Sequence, residues 1–264
     1  MRPRLVATDL DGTLLRRDGT VSARTREVLA MLDRRGVPVV FVTGRPMRWV
    51  EELHDDIGGH GLAICSNGAV LYEVAGRSVQ RALPVAPATV LTVAHRLRTG
   101  LPGSRFALER VHGFARETDY RSRHVEPAGT PTGTLEDLLD GSTVKLLALH
   151  EEMAGDAYWR AVRDLVGDLV DVTWSSTWAL VEMSAHGVTK ASMLADVCAE
   201  QGIDAAEVVA FGDMPNDIAM LHWAGTSYAM ADAHPAVVAA ATHRAPAHDD
   251  DGVAAVLTEL FDLP

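Results

Sequence analysis

Leu5-Val6-Ala7-Thr8-Asp9-Leu10-Asp11-Gly12-Thr13 is the stretch from which the rest of the chain is read. Leu5-Val6-Ala7-Thr8 is a short apolar run that suits a buried strand, and Asp9-Leu10-Asp11-Gly12 breaks it into a turn. On an extended segment residues i and i+2 point the same way, so Asp9 and Asp11 can face one ligand together. Two neighbouring carboxylates repel, and burial adds to that repulsion unless a cation sits between them. Gly12 lets the backbone turn and expose amide N–H groups to an anion. Alone, the string also reads as an Asx-type turn after a strand. Its meaning depends on what else the chain carries.

Outward from this stretch, Ser22 caps an expected helix over Ala23–Arg34, with Val28, Leu29 and Leu32 on one face and Gly36 as its stop. Val37-Pro38-Val39-Val40-Phe41-Val42 is continuously apolar, the pattern of a strand covered on both faces, as in parallel sheets. It ends at Thr43-Gly44-Arg45-Pro46, where Pro46 suits the first turn of another helix. Leu62-Ala63-Ile64-Cys65 repeats the pattern and ends at Ser66-Asn67-Gly68. Strand, helix, strand, helix, strand is the order of an α/β doubly wound, mostly parallel, Rossmann-like sheet.

The same grammar returns late. A helix is expected from Lys190 to Glu200, a strand at Val208-Val209-Ala210-Phe211, and a helix through Ile218, Met220 and Leu221. A strand at 227–230 follows, then a last helix at 252–261 with Asp249, Asp250 and Asp251 at its positive end. An Ala-rich patch lies near Ala239. Between these halves the pattern changes. Strands are expected at 105–108, 144–149 and 178–181, helices at 88–97 and 157–166, and a loop at 126–133. The expected architecture is an α/β unit of residues 1–83 and 184–264, with an inserted α+β domain at 84–183.

Four polar clusters fall at the carboxyl ends of expected parallel strands, the edge at which open α/β sheets bind ligands. The first is Asp9 to Thr13. In the second, the Thr43 hydroxyl and the Gly44 amide can donate to phosphate oxygens, although Thr43 could equally cap the helix after Pro46. Arg45 either touches the ligand or sits on the rim. The third is Lys190, in His186-Gly187-Val188-Thr189-Lys190. A cation in the first turn of a helix opposes the helix dipole, which suggests that it serves a ligand. The fourth is Gly212-Asp213-Met214-Pro215-Asn216-Asp217, whose Asp213, Asn216 and Asp217 can converge from one helical turn. Hard oxygen ligands without Cys or His favour Mg2+ over zinc.

Composition narrows the field further. The 264 residues are 47% hydrophobic and 23% charged, ordinary for a globular protein. Lys and Arg number 24 against 36 Asp and Glu, a formal charge of −12. So acidic a chain repels nucleic acid and anionic lipid, and makes an anionic substrate depend on a local cation. Cys65 and Cys198 cannot build a disulfide framework or a zinc cluster. No apolar run reaches the ~18 residues of a membrane span, and Met1-Arg2-Pro3-Arg4 does not open a signal peptide. A cytoplasmic protein, monomeric or weakly dimeric, is expected. The 11 histidines show no H-x-x-x-H pair, and no nucleophile elbow, Walker loop or dinucleotide fingerprint is present. The locally basic stretch 105–124 reads as a solvated face, or else as a surface that meets an anionic substrate.

Taken in order, DLDGTLL, VFVTGR, HGVTK and GDMPND resemble the four motifs of the haloacid dehalogenase-like phosphatases. The large insertion, Ser66-Asn67-Gly68-Ala69 and Asp251-Gly252-Val253-Ala254 resemble the Cof-type subgroup, which implies that residues 1–83 and 184–264 are a catalytic core and 84–183 a cap domain for substrate selection. P-type ATPases are similar only at the first aspartate, and they carry Thr at the place of Asp11. Met214-Pro215 replaces a more usual polar pair, a neutral change at a helix start. The resemblance implies that Asp9 attacks phosphorus and becomes an aspartyl phosphate, and that Asp11 is the general acid and base. It implies Mg2+ on the Asp9 carboxylate, the Asp11 backbone carbonyl and Asp213, with Asp217 in support. Leu10, Gly12, Thr43, Gly44 and Lys190 would bind the phosphoryl oxygens, and Asn216 would reach phosphate or metal. Arg45, Asn67, Arg110 and Arg116 are the expected substrate rim. The function implied is a Mg2+-dependent phosphatase for small metabolites, sugar phosphates or phosphorylated cofactors. A phosphotransferase or phosphomutase on the same site, or a non-catalytic phosphate-binding module, is the alternative.

Overall fold

The computed structural model describes residues 2–58, 61–174 and 178–264. They form two compact units, one of Met1–Arg81 with Thr189–Pro264 and one of Ala82–Val188.

The first unit is built on a sheet whose strands, in chain order, are β1 (Leu5–Thr8), β2 (Val39–Val42), β3 (Leu62–Cys65), β4 (Val70–Glu73) and β5 (Ser78–Ala82). The chain returns to this sheet after the second unit, whose strands take the numbers β6 (Arg105–Arg110), β7 (Gly113–Glu117), β8 (Thr132–Gly133), β9 (Thr143–Leu149), β10 (Val170–Thr173) and β11 (Leu180–Ala185). The returning strands are β12 (Val208–Gly212), β13 (Thr226–Ala229) and β14 (His243–Arg244). The order across the sheet is β14-β13-β12-β1-β2-β3-β4-β5. All neighbours from β14 to β3 run parallel, and β3 to β4 is antiparallel. The sheet therefore grows outward from β1 in both directions. Where the winding direction reverses, between β1 and β12, the carboxyl ends leave a crevice.

Strands this apolar need cover on both faces. They receive it from α1 (Ala23–Arg34), α2 (Met47–Glu51), and the late helices α6 (Lys190–Glu200), α7 (Ile218–Trp223), α8 (Pro235–Ala240) and α9 (Gly252–Leu260). Helix α1 packs on α9, and α6 packs on α7, which meets α8. Ser22 caps α1 by accepting from the Thr25 N–H at 2.9 Å. Cys65 and Cys198 are buried thiols.

The second unit is a sheet of order β10-β11-β9-β6-β7-β8, accompanied by α3 (Pro87–Gly100), α4 (Leu135–Leu138) and α5 (Gly155–Val166). Its core joins Val90, Val93 and Leu97 of α3 and Tyr158, Val162 and Val166 of α5 to Phe106, Leu108, Leu146, Ala148, Val181 and Met183 of the sheet. The other sheet face carries Ala107, Phe114, Leu147 and Leu149, with Tyr120 packed among them. It also holds the buried pair Lys145–Glu182, at 2.8 Å.

Several local expectations need correction. The strand expected at 178–181 starts at Leu180, because the Leu180 N–H donates to the Trp178 carbonyl at 2.9 Å and closes a turn there. The loop expected at 126–133 ends in β8, which runs parallel to β7. The Ala-rich patch is α8, capped by His234, whose ring nitrogen accepts from the Ala236 N–H at 3.2 Å. The acidic run does stand at the start of α9, with Asp251 in the cap position, although no side-chain hydrogen bond caps the helix. Asp251 holds the Arg16 guanidinium and Asp249 accepts from the Arg17 N–H.

Candidate active site

Asp9 is the first residue beyond β1, and its N–H donates to the Phe211 carbonyl on β12 at 3.1 Å. The chain then makes a single wide helical turn, in which the Leu15 N–H donates to the Leu10 carbonyl at 2.8 Å. Gly12 sits in that turn at φ +71°, and a Cβ there would fall 2.4 Å from Oδ2 of Asp213. A side chain at 12 is thus excluded twice, by backbone conformation and by the carboxylate it would strike. Across the crevice, Asp213 follows β12, and Thr13 donates to its Oδ1 at 2.8 Å. Asp217 turns back one helical turn later, and its Oδ2 accepts from the Asp213 and Met214 N–H groups, both at 3.0 Å.

Lys190 enters from the first turn of α6, directly after Thr189, which with Ser192 forms a reciprocal capping box. Its Nζ lies 2.6 Å from Oδ1 of Asp9 and 2.6 Å from Oδ1 of Asp217. Oxygens of Asp9, Asp213 and Asp217 come within 4.8 Å of one another. One ammonium therefore faces three carboxylates in a site almost closed to water. Burial pushes the Asp9 carboxyl well up, and the charges of Asp217, Asp213 and Asp11 add to this against the pull of Lys190. Burial, with Asp217 beside it, pushes Asp213 up to about 7. Burial alone would lower Lys190, but Asp217 and Asp9 more than offset it and hold the ammonium charged. The cluster is short of positive charge, its donors are hard oxygens, and Gly12 keeps Asp213 unobstructed. A divalent cation fits this donor set.

The other expected site residues divide into those drawn to this cluster and those held elsewhere. The Asp11 side chain is 59% exposed, and both its oxygens accept from Arg45, at 2.6 and 2.8 Å. So Asp9 and Asp11 do not share one partner through their carboxylates, because the wide turn replaces the extended segment that would have aligned them. Arg45 is a partner of Asp11 rather than a free rim group. Thr43 is buried and does not cap α2, whose cap position is Pro46. Its Oγ1 accepts from the Arg45 N–H at 3.0 Å, which leaves the hydroxyl proton to donate. Gly44 lies between them in the same turn, and Leu10 is fully buried. Asn216 donates from Nδ2 to Oδ1 of Asn67 at 3.1 Å. In the second unit, Arg110 pairs with Asp140 at 2.9 Å and Arg116 with Glu126 at 2.8 Å. Sequence reasoning left Thr13 and Thr189 without individual roles; their position beside Asp213 and Lys190 follows from a wide turn and a cap that only coordinates reveal.

Comparison with known proteins agrees with this geometry. A family model described as haloacid dehalogenase-like hydrolase matches residues 6–257. A 5-amino-6-(5-phospho-D-ribitylamino)uracil phosphatase of Bacillus subtilis is 28% identical, over 99% of this chain and 99% of its own. A pyridoxal phosphate phosphatase of Escherichia coli is 29% identical, over 91% of this chain and 92% of its own. The crystal structure of SMU.1108c from Streptococcus mutans shares the fold with a TM-score of 0.87, at 22% identity, over 98% of this chain and 99% of that one. With a matching family model that runs through all four polar clusters, the chain belongs to the haloacid dehalogenase-like hydrolases.

Proposed function

We propose that this protein is a Mg2+-dependent phosphatase that hydrolyses small phosphorylated metabolites through an aspartyl phosphate on Asp9. The observation that carries the reading is the Lys190 ammonium, 2.6 Å from both Asp9 and Asp217 in a cluster that Asp213 completes. Asp9, Asp213 and Asp217 would hold the cation. When bound, it supplies positive charge that lets a carboxylate approach a phosphate dianion.

The chain's own groups then divide the work. Asp9, oriented by Lys190, attacks phosphorus and forms the acyl phosphate. Lys190, the Thr43 hydroxyl and the amides of Leu10, Gly12 and Gly44 would neutralise charge that spreads over the transferring oxygens. Asp11 gives a proton to the departing alcohol and takes one from the water that cleaves the intermediate. Each of its oxygens accepts one hydrogen bond from Arg45 and keeps a second lone pair on which that proton can sit. The choice of alcohol is assigned to the inserted unit, because Asp9, Asp11, Thr43, Lys190, Asp213 and Asp217 all lie in the other one. The two phosphatase relatives act on a phosphorylated ribityl compound and on pyridoxal phosphate, which supports metabolites of that size.

The test is hydrolysis of p-nitrophenyl phosphate by the purified protein. EDTA should abolish it and Mg2+ restore it, with inorganic phosphate released in equal amount to the alcohol. Restoration by zinc but not magnesium, or phosphate recovered only on an added acceptor sugar, would contradict the reading.

A further inference from the structure

Asp251 stands at the start of α9 in the left-handed region, at φ +55° and ψ 41°, and its carboxylate makes no hydrogen bond to the helix it heads. Aspartate tolerates that conformation better than most residues, but holds it only where its surroundings over-determine it. Space here is tight, since a Cβ on the next residue, Gly252, would fall 2.1 Å from the Pro246 carbonyl oxygen. Turned away from its own helix, the Asp251 carboxylate meets Arg16 instead. Its Oδ1 accepts from Nε at 3.2 Å and from Nη2 at 3.0 Å, and its Oδ2 accepts from Nη2 at 3.1 Å. The Asp251 side chain is only 13% exposed. A second tie lies beside the first, where the Arg17 N–H donates to Oδ1 of Asp249 at 2.9 Å.

Arg16 is the second residue after the wide turn that carries Asp11, Gly12 and Thr13. Leu10, Leu14 and Leu15 are buried and sink the turn into the core. Beyond it the chain folds back on itself, with the Arg16 N–H donating to the Thr20 carbonyl at 2.9 Å and the Gly19 N–H to the Arg16 carbonyl at 2.8 Å. Apolar burial sets the depth of such a turn but not its direction. A forked guanidinium on a carboxylate does set direction, because both prongs must meet their acceptors together. Direction matters in this turn. The Thr13 hydroxyl reaches Oδ1 of Asp213 at 2.8 Å, and Gly12 lies where any side chain would strike the same carboxylate.

We propose that Asp251 is a positioning residue for the phosphoryl site: through Arg16 it clamps the wide turn, and so holds the Leu10 and Gly12 amides and the bond from Thr13 to Asp213 in place. This rests on the phosphatase reading above, and it gives the segment Asp251-Gly252-Val253-Ala254 a task that the chemistry had left unassigned.

The test pairs amide hydrogen exchange, followed by NMR on the full chain, with turnover of p-nitrophenyl phosphate at saturating Mg2+. Asp251→Asn keeps the size and the tolerance of positive φ, but sets a donor against the guanidinium. Arg16→Gln removes the fork from the other side. In each, exchange at the Leu15 N–H, which closes the wide turn, should speed by about tenfold or more, as for an easier local opening. The α9 amides should keep their rates, including that of Ala255, which donates to the Asp251 carbonyl. The kcat should fall roughly 10- to 100-fold with a smaller change in KM, the cost of a misplaced site. The double variant should be no slower than the worse single one. Should Asp251→Asn not fold, Arg16→Gln decides alone. An unchanged Leu15 rate, α9 amides loosened as much as the turn, or an unchanged kcat overturns the clamp and leaves the phosphatase reading standing. An unaltered chain that releases no phosphate overturns the phosphatase reading, and the exchange rates still decide whether Arg16 and Asp251 hold the turn.

Discussion

With its ammonium 2.6 Å from an oxygen of Asp9 and from one of Asp217, Lys190 occupies a place from which water is almost removed. Removing one partner of a buried ion pair costs far more than removing one at the surface, because the other charge is left without solvent. Lys190→Ala in metal-free protein should therefore lower stability by about 3–5 kcal/mol. Urea unfolding measures this, and a loss below ~1 kcal/mol, as for an exposed pair, would contradict the electrostatic account. The same crowding predicts a pH dependence. Asp213 keeps its proton to about pH 7 in the folded chain, against 3.8 as the ordinary value. Between those values the unfolded chain binds fewer protons, so stability from this group is full at low pH and is lost as pH rises toward 7. A cation must displace that proton, so the rise in melting temperature on adding Mg2+ should be clearly larger at about pH 8 than at about pH 5. An equal rise at both would show that the carboxyl is not held up.

Among the elements, the turn after β3 ties the crevice together. Gly68→Ala would place a methyl group 2.1 Å from the Thr189 carbonyl oxygen, at a φ that alanine resists. The start of α6 must then move, and Lys190 with it. Expected are a loss of roughly 1–3 kcal/mol in stability and a fall in turnover beyond what that loss explains. Circular dichroism melts and p-nitrophenyl phosphate assays at a temperature where both proteins are folded check this; unchanged turnover would detach α6 from the turn. Elements were legible in the sequence where one signal dominated. Ala23–Arg34 and Lys190–Glu200 match their expected bounds because a polar cap and a clear apolar face coincide. Helix α8 escaped because its cap is a histidine, and the hairpin of β4 and β5 escaped because two non-glycine residues take positive φ before it. Neither is a choice that residue type announces.

At the scale of the whole molecule, the chain leaves its first sheet after β5 and builds a second unit with its own core before returning at Thr189. A fragment of residues 82–188 should therefore fold cooperatively alone and show no phosphatase activity, as thermal melts and assays can verify; a non-cooperative melt would contradict an independent core. What was legible of the site follows the same division. Asp9, Asp213 and Asp217 were readable because parallel strands deliver their following residues to one edge, however far apart in sequence. Lys190, expected after such a strand too, follows the antiparallel β11 of the other sheet and comes from the first turn of α6. The pairing of Asp11 with Arg45, and the ion pairs of Arg110 and Arg116, depend on turn geometry and side-chain reach, which periodicity does not encode. The claim on which the chemistry turns is that Asp9 carries the phosphoryl group. Borohydride added during turnover reduces an acyl phosphate to an alcohol, and peptide mapping locates the altered residue. The prediction is homoserine at position 9 in the unaltered chain, and none there in an Asp9→Asn variant that has lost at least about a thousandfold in activity. An unmodified Asp9 in protein trapped during active turnover, or modification at another carboxylate, would contradict it.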